Sequence, residues 1–91
     1  RFLVISYGQD NNGAAILLKH ATSEQQQACV GKQCGDGVMA IIHTNQFWRD
    51  FETWKAAGVI FCEEPRKEDY GTVVIFQDLY GNRLDLLEPS T

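Results

Sequence analysis

Tyr70-Gly-Thr-Val-Val-Ile-Phe-Gln-Asp-Leu-Tyr-Gly-Asn-Arg-Leu-Asp-Leu-Leu-Glu-Pro89 is the most telling stretch of this 91-residue chain. It reads as two strands around a tight turn. Val73, Val74, Ile75 and Phe76 form a near-continuous apolar run suited to a buried strand. Asp78-Leu-Tyr-Gly81-Asn82 breaks it: Asp78 can accept hydrogen bonds from the amides of its own turn, and Gly81 can take positive φ. Arg83-Leu-Asp-Leu-Leu87 then resumes as a strand, with Leu84 and Leu86 on one face and Arg83, Asp85 and Leu87 on the other. An acid between apolar neighbours, on a strand with one buried face, is either a wet-face residue or part of a site.

Working upstream, Val59 to Cys62 reads as a strand and Glu63 to Asp69 as a charged loop. Gln46 to Ala57 reads as a helix, with Asn45 as its N-cap and Gly58 as its stop. Phe47, Phe51 and Trp54 fall on one helical stripe, joined by Trp48, and such a stripe is read first as core packing. Val38 to His43 is a strand. Between His20 and Gly37 the chain is polar and broken by glycines, with Ser23 able to cap a short helix over Glu24 to Ala28. Arg1 to Tyr7, with Phe2 and Val4 on one face, and Ala14 to Lys19 are strands joined by the turn-rich loop Gly8-Gln-Asp-Asn-Asn-Gly13. From Val38 onward the order is strand, helix and three strands, a complete βαβββ unit. Two strands of a comparable unit precede it.

Phe76, Asp78, Gly81, Asn82 and Asp85 fit an aromatic-ended strand, an Asp-x-x-Gly-Asn turn, and an acid four residues after the glycine. This pattern, with the helix from Phe47 to Gly58, Val59-Ile-Phe61 and Glu63-Glu-Pro65, resembles the vicinal oxygen chelate superfamily. That superfamily holds glyoxalases, extradiol dioxygenases and bleomycin resistance proteins. Arg1 to Ser6 and Ala15 to Lys19 resemble late strands of its preceding module. The resemblance implies an α+β fold of βαβββ units, in which a curved mixed sheet forms a cleft. It implies one domain over residues 1–91: a partial first unit at 1–36 and a complete unit at 37–91. In this reading the strand and helix that open the first unit are lacking.

Composition bounds the function. A chain of this length makes at most one small domain, marginal on its own. A net charge of −4 argues against a nucleic-acid footprint, which would be basic, and against an anionic-membrane surface role. No apolar run approaches membrane-spanning length. Cys29, Cys34 and Cys62 are odd in number and lack paired short spacings, which suits a reducing cytoplasm better than a disulfide scaffold.

The resemblance implies binding or sequestration of a small molecule, as in the metal-free, bleomycin-resistance-like side of the superfamily. The alternative is a metal-dependent lyase or transferase of the glyoxalase kind, acting on vicinal oxygens. Whether the chain is an enzyme is left open at this point. The implied ligand-binding residues are Asp85, Arg83, Phe76, Val74, Phe61 and Tyr70. Asp85 is also the one candidate metal ligand, because the acid at its position is a metal-binding Glu in the metal-dependent members. Their partner His would fall near Gly37 or Val38, which have no donor side chain. The expected cofactor is therefore none, with a divalent metal as the alternative. His20 and His43 read first as solvated strand ends, and Cys62 as a small core residue. Cys29 and Cys34, four residues apart beside Lys32, lack the second pair a zinc site uses. Gly31-Lys-Gln-Cys-Gly35 lacks the order of a phosphate-binding P-loop. The incomplete first unit leaves a sheet edge open, which points to a homodimer.

Overall fold

The computed structural model describes residues 2–6 and 15–90. Its elements are β1 (Phe2–Ser6), β2 (Ala15–Lys19), α1 (Glu24–Ala28), β3 (Val38–His43), α2 (Phe47–Ala56), β4 (Arg66–Glu68), β5 (Gly71–Gln77) and β6 (Arg83–Pro89). β1 and β2 form an antiparallel ribbon, and the other strands form a mixed sheet ordered β3-β6-β5-β4. β3 is parallel to β6, while β5 is antiparallel to both β6 and β4. The fold is α+β. The Gly8 to Gly13 connection and the facing of Phe2 and Val4 lie outside the described residues and side chains.

The closing hairpin forms through the turn chemistry its residues suggest. Asp78 Oδ1 accepts from the amides of Tyr80 and Asn82, each at 2.9 Å. Asn82 Nδ2 donates to Asp78 Oδ2 at 2.8 Å. Gly81 sits at φ +98°, where side chains with a Cβ are strained. Gln33 N donates to Asn82 Oδ1 at 3.1 Å, so the glycine-broken loop is tied to this turn. Where that loop enters, a Cβ on Gly31 would meet the Tyr80 carbonyl oxygen at 2.2 Å. α1 forms as its residues suggest, with a capping box between Ser23 and Gln26.

α2 starts one residue later than the pattern suggests, and Asn45 does not cap it. Gln46 occupies the N-cap without a side-chain bond. The free amides at this end are taken by residues on either side. Thr44 Oγ1 accepts from Gln46 N at 3.0 Å, and Glu88 Oε1 of β6 accepts from Phe47 N at 2.8 Å. A carboxylate at this end also complements the helix dipole. The stop at Gly58 holds. Gly58 at φ +100° closes a Schellman motif, with Gly58 N donating to Lys55 O at 3.1 Å and Val59 N to Trp54 O at 3.0 Å.

The expected strand from Val59 to Cys62 shrinks to one bridge between Phe61 and Phe76, and a strand lies instead inside the expected charged loop, as β4. Cys62 N donates to Ile75 O at 2.8 Å, but the next backbone bond is not made. The Glu63 carboxylate takes the Ile75 amide at 3.0 Å. Ladder pairing resumes at Arg66, after Pro65, a residue with no amide to donate.

One face of the sheet packs under α2. Phe47, Phe51, Val74, Phe76, Leu84 and Leu86 form the core, with Met39, Ala40, Trp54, Val59 and Phe61 against it. Phe51 meets Phe61 at 4.7 Å between ring centres, and Trp54 meets Phe76 at 5.3 Å. Trp48, although joined to the stripe in sequence, is exposed.

Candidate functional site

The sheet face opposite α2 is read from register, since directly paired residues project to the same side. Asp85 of β6 lies between Ile41 of β3 and Ile75 of β5. Arg83 pairs with Gln77, and Leu87 lies between His43 and Val73. Arg66 of β4 pairs with Val73 on the same face. Val73 and Leu87 are buried, Asp85 and Ile75 half-buried, and Ile41, His43 and Arg83 exposed. The face is therefore a mostly aliphatic floor with a carboxylate at its centre.

Asp85 Oδ1 is enclosed and has no hydrogen-bond partner among the described residues. Burial pushes the Asp85 carboxyl above its ordinary range. The nearby Arg66 guanidinium opposes this and the Glu63 carboxylate reinforces it. Arg66 is fixed where it can act on Asp85. Its Nε lies 3.0 Å from both Glu63 oxygens, and its Nη1 lies 2.8 Å from Glu68 Oε2. Because Glu63 also accepts from the Ile75 amide, one carboxylate anchors both Arg66 and the strand beside Asp85.

Of the residues expected to line a site, Asp85 and Arg83 share this face. Val74 and Phe76 lie on the other face, in the core beneath α2. Phe61 packs against the edge of that core, against Phe51 and Phe76. Tyr70 is exposed in the β4–β5 turn. Ile75, Ile41, Glu63 and Arg66 were not singled out in the sequence. Period-two alternation carried from Asp85 across the turn finds Ile75, and the Glu63-x-x-Arg66 spacing is a legible ion-pair signal. His20 and His43 are exposed, as expected of strand ends. Cys62 is exposed rather than a core residue, because Phe61 before it is bridged to Phe76 on the core side and alternation sends the next side chain to the other side.

A divalent metal does not fit the donors described. Asp85 is flanked by two isoleucines, Glu63 is committed to Arg66, and Gly37 and Val38 offer no side-chain donor. No group of three or more His, Cys, Asp or Glu able to hold a metal ion occurs among the described residues. No helix among them is long and apolar enough to cross a membrane.

Two solved structures share this architecture. UcmS2 superposes with a TM-score of 0.71 at 22% identity, over 96% of this chain and 79% of its own. A member of the glyoxalase/bleomycin resistance protein/dioxygenase superfamily from Sphaerobacter thermophilus DSM 20745 superposes with a TM-score of 0.51 at 24% identity. The second match covers 55% of this chain and 41% of that one. The chain has the glyoxalase/bleomycin-resistance fold. No protein-family model matches it. In sequence, an uncharacterized protein of Shewanella frigidimarina (strain NCIMB 400) is 40% identical over 88 residues, 97% of this chain. The chain spans 64% of that relative's length. In the terms of this fold, β3 to β6 with α2 make one βαβββ unit, and Asp85 stands on its last strand.

Proposed function

We propose that this chain binds a small organic molecule on the open face of the βαβββ sheet, with Asp85 as the orienting group. The observation that carries the reading is the enclosed, unpartnered Oδ1 of Asp85 between Ile41 and Ile75. A buried acceptor left unpaired costs about 1–3 kcal/mol. A ligand hydroxyl or amine donating to it removes that cost, while its carbon skeleton covers the aliphatic floor. A few polar groups on an apolar surface is the usual composition of a small-molecule site. Binding or sequestration of this kind needs no cofactor, and it follows the metal-free, bleomycin-resistance-like side of the fold. Arg83 lies on the same face and belongs to this site. Val74, Phe76 and Phe61 support it from beneath.

The site is completed by a second copy of the chain. The ribbon supports this, since Ile5, Ile16, Leu17 and Leu18 on both its strands are 43–53% exposed. Residues 1–36 act as a partial unit and 37–91 as a complete one, and the three free cysteines suit a reducing cytoplasm.

Ligand-detected NMR with a library of small hydroxyl- and amine-bearing compounds, run on the parent and on Asp85→Asn, tests the reading. Saturable binders weakened by the substitution are expected. A library without binders, or binders indifferent to Asp85→Asn, overturns it. Calorimetry with nickel, manganese and zinc separates the lyase reading. No specific heat is expected from either protein, and micromolar binding lost in Asp85→Asn reverses the choice.

A further inference from the structure

We infer that the ligand is an organic anion, its carboxylate or phosphate held between Lys32 and Arg83 at one end of the open face. This rests on the binding reading above and adds the charge of the ligand. A cavity of about 620 Å³ lies where the Gly31 to Gly37 loop meets the end of the β5–β6 hairpin. Gln77 and Arg83, the last cross-strand pair before the turn, line it together with Lys32 and Asp36 of the loop.

Charge singles this place out. The chain carries −4 overall, yet two cations and one acid line the cavity. The ion pairs among the described residues use Arg49 and Arg66, and none uses Lys32 or Arg83. Both are exposed and available to a ligand. The loop is held in place rather than merely adjacent, by Gln33 N on Asn82 Oδ1 and by the close approach of Gly31 to Tyr80. The amides of Cys34 and Asp36, in the same loop, donate to no group among the described residues. An Arg fork and an ammonium suit an oxyanion.

Geometry joins this end to Asp85. Arg83 and Asp85 are two residues apart on one strand, so about 7 Å separates them along the face. One small molecule can place an oxyanion at Arg83 and Lys32 and a hydroxyl or amine at Asp85. An anion placed at Asp85 itself would meet its carboxylate, so the order of the two groups is fixed.

The test is a ¹⁵N-amide NMR titration of the chain with inorganic phosphate, and then with 6-phosphogluconate, an anionic polyol. Phosphate should shift the amides of residues 31–37 and 82–83 saturably. Lys32→Gln with Arg83→Gln should weaken it about tenfold or more, the scale of lost charge-assisted hydrogen bonds. The surface control Lys67→Gln should leave phosphate binding unchanged. Each cation is exposed, so either single substitution can replace the double one if that variant folds poorly. Shifts spread over Lys19, Lys55 and Lys67, or full affinity in the Lys32/Arg83 variants, overturn the inference. If inorganic phosphate behaves as expected but no organic ligand depends on Asp85, the anion site stands and the binding reading falls.

Discussion

Asp78 and Asp85 are two aspartates on one hairpin with opposite electrostatics. Burial raises the Asp78 carboxyl, but hydrogen bonds from the Asn82 side chain and from the Tyr80 and Asn82 amides outweigh it, so it lies below its ordinary range. Its stabilising contribution is present above the unfolded value, near 3.9, and is lost as pH falls through the lower folded value. Asp85 is raised. Its folded form binds the proton more tightly than the unfolded chain, so it destabilises at neutral pH and that cost disappears as pH falls through the folded value. Melting curves against pH should therefore show Asp78→Ala less stable than the parent at neutral pH and converging in strong acid. Asp85→Asn should be more stable at neutral pH, with the gap closing as pH falls through the raised folded value toward the unfolded one. A destabilised Asp85→Asn contradicts the assignment of Asp85 as a ligand-waiting group. Gly81→Val forces a β-branched residue to φ +98° and should cost about 1–3 kcal/mol, seen as a lower melting temperature. Alternation made Asp85 and Arg83 readable in the sequence. It could not separate Val74 from Val73, because an apolar run from Val73 to Phe76 is hydrophobic on both faces and hides its own period.

At the scale of elements, what was legible is what local chemistry decides. The hairpin turn, the Ser23 cap and the Gly58 stop all depend on residues within a few positions of one another. The start of α2 does not, because Glu88 is 41 residues from Phe47 and no local pattern reports it. Glu88→Ala should destabilise by about 1 kcal/mol, the scale of a lost N-cap. Asn45→Ala, at the expected cap, should stay within about 0.5 kcal/mol. Equal losses in urea denaturation of the two variants contradict this account of the helix start. The strand expected at Val59 to Cys62 failed for a similar reason. Its residues are suited to a strand, but a side chain, Glu63, took the amide that pairing needed.

The whole molecule is uneven. The βαβββ sheet has a core under α2, while the β1–β2 ribbon presents apolar side chains with little cover, and a two-stranded ribbon alone is only marginally stable in water. The proposed second copy covers that surface. Sedimentation should show a dimer, shifted toward monomer by Ile16→Asp with Leu18→Asp, and a stable parent monomer at high concentration contradicts it. The fold was legible at this scale because the order of elements after Val38 survives small errors of boundary. The proposed ligand site was not, because it draws on residues from β3, β5, β6 and the loop before β3 that only the fold brings to one face. Methyl-resolved NMR of the parent chain, titrated with binders from the compound library, tests that meeting most directly. The account predicts that the methyls of Ile41 and Ile75 shift on binding while those of Val74 and Leu86, across the sheet, do not. Shifts centred on Val74 and Leu86, with Ile41 and Ile75 unmoved, would contradict it.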